Sequence, residues 1–585
     1  MDTSLRKQIY FLLILISSGI MLGRIIATDN VADRSVQTYR LQQIPKQLAE
    51  KKKDLQKKGI APEEIDRRLQ KLAVSLIQDA QKARPTLSAN DRSRWLTIRA
   101  LVEPDSRVYR FLPVVENNSV KTPVPTVDLR RNCGCNCVQQ FNRANLKAKK
   151  YERQLVPYAI DKAMETSGWD TIDMVKHGLP DEEYNPEDPF SGYLYSSKPP
   201  LLPTLMAVPY GILYHTTGIS LKEDPWWAVR ILLIVLNLIP LIISWILFSQ
   251  MIDDLGKTDW GRIFAMSVIC FGTFVSSFAT TLNNHLPAVV CITFAVYGVY
   301  QILYHGRKNV FWFLFTGFFG AFSVVCELPA LAVAGAICLI LIVRFPAKTI
   351  AIAIPAGLLV AAAFFAANYI AHGTFKPAYA MKRDHIKIAK VDPSHSGAVS
   401  SFDQNDWYIY NYFPSGRIRE AKNARLSYWA NRVGIDRGEP NPYVYFFHAT
   451  IGHHGLFSLT PVWIFSMIGL FMIAFGPYDR PVRIFGWSSI GLTLLFFVFY
   501  LTRDQGDRNY GGMCCGLRWF FPLIPLWIFS MLPFLDRIAS SRLMRGIALI
   551  LLILSIMSVS YPLWNPWSHP WLYHFMIDRQ WISGF

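Results

Sequence analysis

Eleven long apolar stretches constrain this chain more than anything else in it: Ile9–Ala27, Trp226–Ile252, Arg262–Leu282, Leu286–Tyr304, Val310–Cys326, Leu328–Val343, Thr349–Ala371, Leu456–Phe475, Val482–Leu501, Trp519–Leu535 and Gly546–Leu563. A bilayer core about 30 Å thick takes about 20 mainly apolar residues per helix. In hydrocarbon every backbone N–H and C=O needs an internal partner, which a helix supplies. The expected fold class is an all-α polytopic membrane protein of about eleven transmembrane helices, with a large, mostly helical extracytoplasmic insertion. The two stretches flanking Glu327 are short, as in a broken or tightly turned hairpin. Charged residues are 17% of the chain, against about 25% in soluble domains, and that deficit also points to a bilayer.

Basic residues in short loops orient the spans. Lys257 and Arg262, Arg307 and Lys308, Arg344 and Lys348, Arg480 and Arg483, and Arg537, Arg542 and Arg545 fall on one side, which sets the N-terminus in the cytoplasm. The turns at Asn283–His285 and Glu327, on the other side, carry no Lys or Arg. The loop Thr502–Arg518 holds three arginines and is the exception. The first stretch follows Arg6 and Lys7 as a signal peptide would, but it is long for one and no Ala-x-Ala-type site follows, so an uncleaved anchor is expected. The divisions are then an anchor (1–27), an extracytoplasmic loop domain (28–225), spans two to seven (226–371), a second extracytoplasmic loop (372–455), spans eight to eleven (456–563) and an extracytoplasmic tail (564–585). The setting is a cell (inner or cytoplasmic) membrane. Much of the net charge of +18 belongs to the cytoplasmic loops rather than to a nucleic-acid surface.

The first long loop opens with a helical hairpin. Ile44, Leu48 and Leu55 share one face. Pro62 with Glu63 and Glu64 starts a second helix, where proline and acids suit the first turn. Ile65, Leu69, Leu72 and Leu76 form its apolar stripe. The basic stretch Lys46–Lys58 reads as a solvated face, or as a contact for anionic lipid head groups. Of nine cysteines, Cys270, Cys291, Cys326 and Cys338 lie in apolar stretches and read as small buried residues. Cys133, Cys135, Cys137, Cys514 and Cys515 fall outside the membrane, where disulfides are favoured. A metal clip at the close-set three, with His177 as a further ligand, is the other reading, and their pairing is left open.

Polar groups gather at the outer span ends. Ser88-Ala89-Asn90-Asp91-Arg92-Ser93-Arg94-Trp95 follows the hairpin. Ser196-Ser197-Lys198-Pro199-Pro200-Leu201 precedes the second span, which opens Trp226-Trp227-Ala228-Val229-Arg230. Gly452-His453-His454-Gly455 and Gly516-Leu517-Arg518-Trp519 come later. This set resembles the C superfamily of membrane glycosyltransferases, in the branch of the protein O-mannosyltransferases and the lipid A aminoarabinose transferases. The acid–Arg–aromatic motif with the Lys-Pro-Pro-Leu run carries the resemblance, which covers Asp91–Gly218 and most of the membrane part.

The resemblance implies a polyprenyl-phosphate-sugar donor, whose tail lies among membrane lipids, and a lipid, glycan or protein acceptor outside the cytoplasm. Transfer with inversion needs a base for the acceptor hydroxyl and cations for the departing phosphate. Asp91 is the candidate base by its place in the motif; helix N-capping is its structural alternative. Lys198 and Arg518 are candidate phosphate contacts, with snorkelling at the interface as the alternative. Arg94 and Arg230 are further donor-phosphate candidates. His285 and Glu327, on the two short turns, are candidates for binding the acceptor or a divalent metal ion. His453 and His454 stand similarly. The pattern departs from the family in three places: the hairpin precedes the acid motif, making Asp29 a rival base; Pro104–Glu165 is inserted; and Ser197 stands where some relatives carry a metal-binding acid. No phosphate-binding loop, dinucleotide fingerprint, hydrolase motif or nucleic-acid module is present. The other function classes in view are a lipid-linked glycan transporter or flippase and a non-catalytic envelope scaffold.

Overall fold

The computed structural model describes residues 2–28, 34–57, 59–81, 88–113, 151–382, 404–414, 424–562 and 565–582. It is predominantly helical and falls into two compact units, Thr28–Leu87 and the remainder.

The smaller unit is the expected hairpin. Helix α2 (Arg34–Lys57) turns at Gly59, whose φ is +69°, into α3 (Pro62–Gln81). Ile44, Leu55 and Ile65 are buried between them, with Leu48, Leu69, Leu72 and Leu76 partly covered. Glu64 in the first turn of α3 pairs with Arg67 and Arg68 at 2.7 Å each, an i+3 and i+4 pattern that supports an exposed helix.

Among the described residues of the larger unit, eight helical segments are long and apolar enough to cross a bilayer. They are Thr3–Ile26 (α1), Pro225–Leu255 (α7), Asp259–Thr280, His285–Leu303 (α9), Pro346–His372 (α12), Arg480–Leu501 (α15), Arg518–Ile538 and Arg542–Ser560 (α17). Three shorter apolar helices, Val310–Cys326 (α10), Ala330–Arg344 (α11) and Trp463–Phe475 (α14), fill the remaining expected stretches. Glu327, Leu328 and Pro329 alone separate α10 from α11, so this pair is the tightly turned hairpin.

The stretch expected as one continuous span at Arg262–Leu282 is broken. Its α-helix, α8, runs Asp259–Phe271 and gives way at Gly272 to a 3-10 turn at Ser276–Thr280. The irregular backbone is tolerated because a neighbour satisfies it. Asn237, inside a π-turn of α7, donates to the carbonyls of Ala279 and Thr281 at 2.9 and 2.8 Å. The last core helix, α16 (Ile524–Ile538), meets the backbone of α14 closely at Gly469, with Trp463 against Trp527 and Phe465 against Phe534. A Cβ on Gly469 would lie 1.8 Å from the Ser530 carbonyl oxygen.

One end of the bundle is tied by ion pairs. Arg6 reaches Asp253 at 2.5 Å and Asp259 at 2.7 Å, and Asp536 accepts from the Thr258 hydroxyl at 2.7 Å. The opposite end carries the loop segments. There α4 (Ala89–Val102) is buried along most of its length, including Arg94 and Arg99. Arg99 pairs with Glu103 at 2.7 Å and donates to the Ala163 carbonyl of α5 (Asp161–Ser167). Glu103 in turn accepts from Tyr210 of α6 (Leu201–Thr217) and from the Leu221 amide. This buried ion pair fixes α4 against α5 and α6.

The loop region is not wholly helical. Among its described residues three antiparallel two-stranded ladders interrupt it: β1 (Val108–Pro113) with β2 (Tyr151–Val156), β3 (Met174–His177) with β4 (Tyr193–Ser196), and β5 (Asn411–Tyr412) with β6 (Arg425–Leu426). The described parts of the insertion Pro104–Glu165 thus include a β-ladder, in register from Val108↔Val156 to Pro113↔Tyr151. Two further helices, α13 (Pro442–Thr450) and α18 (Trp571–Asp578), complete that end.

Candidate active site

The start of α4 sets the site. Ser88, not Asp91, is the N-cap: its hydroxyl accepts from the Asp91 amide at 3.2 Å. Capping is thus accounted for one turn earlier. Asp91 lies in the first turn, where the positive helix end favours a carboxylate, and it is 1% exposed. Arg94, three residues on, shares its face.

Arg94 begins a hydrogen-bonded chain through three other segments. It donates to the Asn90 carbonyl at 3.0 Å and to the Asn90 side chain, and across the bundle to Asn284 Oδ1. Asn284 donates to Glu327. Glu327 Oε1 lies 2.7 Å from His285 Nδ1, and His285 Nε2 lies 2.6 Å from Arg518 Nη1. A guanidinium only donates, so Nε2 is the accepting nitrogen and the ring proton sits on Nδ1, facing Glu327.

Arg518 is held from behind. Its Nε and Nη2 donate to the Gly511 carbonyl at 3.1 and 2.5 Å, and its guanidinium lies 4.6 Å from the Trp567 ring centroid. Gly511 and Gly512 have φ of +92° and +75°, a conformation that glycine adopts without strain. A Cβ on Gly511 would come 3.1 Å from Arg518 Nε.

Lys198 arrives on the β3–β4 hairpin. One step past the first rung, Met174↔Ser196, the Ser197 amide donates to the Asp173 carbonyl at 3.0 Å, and Lys198, next along, reaches the Asp173 carboxylate at 2.9 Å. The far end of the ladder is clamped. His177 lies between the Tyr195 and Trp407 rings, with centroids 4.3 and 4.0 Å away, and its Nε2 is 3.0 Å from His372 Nδ1 at the end of α12. His177 is therefore engaged in this cluster; residues 114–150, with Cys133, Cys135 and Cys137, lie outside those described, as does Asp29. Cys514 and Cys515 are buried free thiols.

The cations feel one another and the acids between them. Burial pushes Arg94 down to about 10, against the pull of Asp91, Asp173 and Glu327; Arg518 pushes it the same way as burial. Burial also lowers Lys198, with Asp173 opposing and Arg94 and Arg518 reinforcing. Burial acts to raise Glu327, but His285, Arg518 and Arg94 together hold it below the usual carboxylate range. Three basic side chains and three carboxyl groups thus occupy one cluster. Arg94 is 1% exposed, whereas the Lys198 side chain is 22% exposed and Arg518 is half-buried. Lys198 and Arg518 are thus the more accessible of the three cations.

No family model, curated protein or solved structure matches this chain.

Of the residues singled out from sequence, Asp91, Arg94, Lys198, His285, Glu327 and Arg518 come together. Arg230 lies over the Trp227 ring at 5.6 Å, in the first turns of α7. His453 and His454 hydrogen-bond through their Nδ1 atoms, and their rings pack on His448 and Tyr510 with centroids 3.9 and 5.0 Å apart. They shore up the loop that carries Arg518. Asn90, Asp173, Asn284 and Gly511 were not singled out. The Asn283-Asn284 pair beside His285 was the available signal for Asn284. Nothing local marks Asp173, whose place follows from strand register.

His285 and Glu327 are held by protein partners: Arg518 stands on Nε2, Glu327 faces Nδ1, and the Asn284 amide donates to the carboxylate. Among the described residues no three His, Cys, Asp or Glu side chains are grouped to hold a metal. Arginine and lysine donors in a partly buried cluster suit an anion, because charge–charge attraction is strong there.

Proposed function

We propose that this chain is a multi-pass membrane glycosyltransferase. It transfers a sugar from a polyprenyl-phosphate donor to a lipid, glycan or protein acceptor on the extracytoplasmic side. Eleven spans with a cytoplasmic N-terminus set the Arg518 end outward, at head-group level, where the donor phosphate lies. One observation carries this reading: Asp91, Arg94, Lys198 and Arg518, from segments far apart in the chain, belong to one charged cluster at one end of the helices.

In the reaction Asp91 takes the acceptor hydroxyl proton as its oxygen bonds to the anomeric carbon. The bond from that carbon to the phosphate oxygen breaks, and its electron pair leaves with the polyprenyl phosphate. Lys198 and Arg518 hold the departing phosphate, and Arg94 supports them from within. Arg518 is kept in place for this by His285 and the Gly511 carbonyl.

The test is to compare cell-envelope glycans, by mass spectrometry, in a deletion strain restored with wild type or Asp91→Asn at equal expression. A sugar that disappears on deletion, returns with wild type and stays missing with Asp91→Asn supports the transferase and names the sugar by mass. Full restoration by Asp91→Asn removes Asp91 as base; Asp29 would be tested next. If that too is dispensable, a scaffold becomes the better reading.

A further inference from the structure

Next to the phosphate-binding cluster lies a second polar group that the transfer step does not use. It is built where the second long loop packs on the Gln505–Gly512 turn. Gly438, with φ of +73°, sits so close there that a Cβ would fall 1.7 Å from the Gln505 carbonyl oxygen. The Glu439 amide donates to the Arg508 carbonyl at 2.9 Å. On the other side Trp429 donates through Nε1 to the Ile172 carbonyl at 2.8 Å, next to Asp173. Residues 428–439 therefore bridge the segment holding Lys198's partner and the loop holding Arg518.

Asp436 lies at the centre of this bridge. Its Oδ2 accepts from the Tyr428 hydroxyl at 2.8 Å and its Oδ1 from the Asn509 amide at 3.1 Å. A Cβ on Gly512 would sit 3.4 Å from Oδ1, while Gly511 next door is gripped by Arg518. The two adjacent glycines thus link the carboxyl group on one side to the guanidinium on the other. Asp436, Tyr428, Trp429 and Asn509 are all partly exposed. A carboxylate has about four lone-pair positions, so two protein donors leave it room to accept from a ligand. Burial, with the nearby Asp173 charge, raises Asp436 above the usual carboxylate range, which accords with a group poised at a functional site.

A carboxylate, an amide and a phenol fixed beside aromatic rings can accept from and donate to neighbouring hydroxyl groups at once. That is the chemistry of a sugar. The sugar nearest to Arg518 is the one esterified to the donor's phosphate. Building on the transferase reading above, we propose that Asp436, held by Tyr428 and Asn509, binds hydroxyl groups of the donor's sugar and sets which sugar is accepted.

The experiment measures binding of two kinds of probe to the purified full-length protein. One is a polyprenyl phosphate without sugar; the other is a panel of its mannosyl, glucosyl, arabinosyl and N-acetylglucosaminyl esters. Wild type is expected to bind one ester more tightly than the bare lipid. Asp436→Asn is expected to weaken that ester about tenfold, the scale of a hydrogen bond to a charged group, and to leave the bare lipid within about twofold. If the variant binds the preferred ester as wild type does, or if no ester outbinds the bare lipid, the proposal is overturned. If wild type binds neither kind of lipid, the transferase reading fails, and this one with it. Should Asp436→Asn weaken both lipids alike, Tyr428→Phe decides: reduced discrimination supports the proposal and unchanged discrimination overturns it.

Discussion

Arg518 Nη1 lies 2.6 Å from His285 Nε2, and the same imidazole turns its Nδ1 to Glu327 at 2.7 Å. A histidine between an arginine and a glutamate is an orienting device: each neighbour fixes one ring nitrogen, and the ring fixes the guanidinium. His285→Ala is therefore expected to slow transfer by about 10²-fold, the range seen when a group stabilising developing charge is lost. His285→Gln, whose amide oxygen can accept from Arg518, should recover part of that. Initial transfer rates in membranes at matched expression give the comparison, and a wild-type rate for His285→Ala would sink the idea.

Arg518→Lys tests the fork rather than the charge. Three N–H donors serve His285 and the Gly511 carbonyl together, and an ammonium cannot reproduce that planar geometry. Activity is expected to drop at least about tenfold, from the loss of charge-assisted hydrogen bonds, while expression stays at the wild-type level. Equal activity in Arg518→Lys would mean that a point charge suffices.

The Asp173–Lys198 pair makes a prediction about pH. Burial lowers the Lys198 ammonium and Asp173 raises it. Removing the anion with Asp173→Asn takes away the raising influence, so the ammonium loses its proton at lower pH than in wild type. The alkaline limb of donor binding should move to lower pH in Asp173→Asn and to higher pH in Lys198→Arg. Polyprenyl-phosphate affinity measured across alkaline pH checks both directions; unmoved limbs would detach Lys198 from phosphate binding.

Stability, as distinct from catalysis, should hinge on Arg99 and Glu103, whose side chains are 0% and 2% exposed. Glu103→Ala leaves a buried guanidinium without its carboxylate and is expected to cost about 3–5 kcal/mol. The double variant Arg99→Met, Glu103→Leu should regain much of this, because apolar groups need no partner. Thermal unfolding in detergent reads the difference. A single variant as stable as wild type would show that the pair does not fasten α4 to α5 and α6.

The sequence reports most of the helices because bilayer-length apolar runs leave few alternatives, and the turn at Glu327 is legible from two runs too short to stand apart. The Gly272 break is not, since it depends on Asn237, from another helix, reaching the Ala279 and Thr281 carbonyls. In the site, Asp91, Lys198 and Arg518 are found through motif and position. Asp173 escapes because its meeting with Lys198 is set by the rung Met174↔Ser196, and register is a property of two strands together. Asp91's capping alternative fails for a plain reason: Ser88 stands three residues earlier and takes that role.

The balance of three basic side chains against three carboxyl groups has a consequence for turnover. A site built from cations alone would bind a phosphate tightly and part with it slowly, and would carry stray counter-ions between cycles. Here every cation already has an acidic neighbour within the protein. In the proposed transfer an arriving phosphate would compete with Asp173 for Lys198, and once the sugar had gone that carboxylate would take the lysine back. Such an arrangement favours exchange over retention, as would suit the proposed carrier lipid, which has to return to the membrane after each transfer.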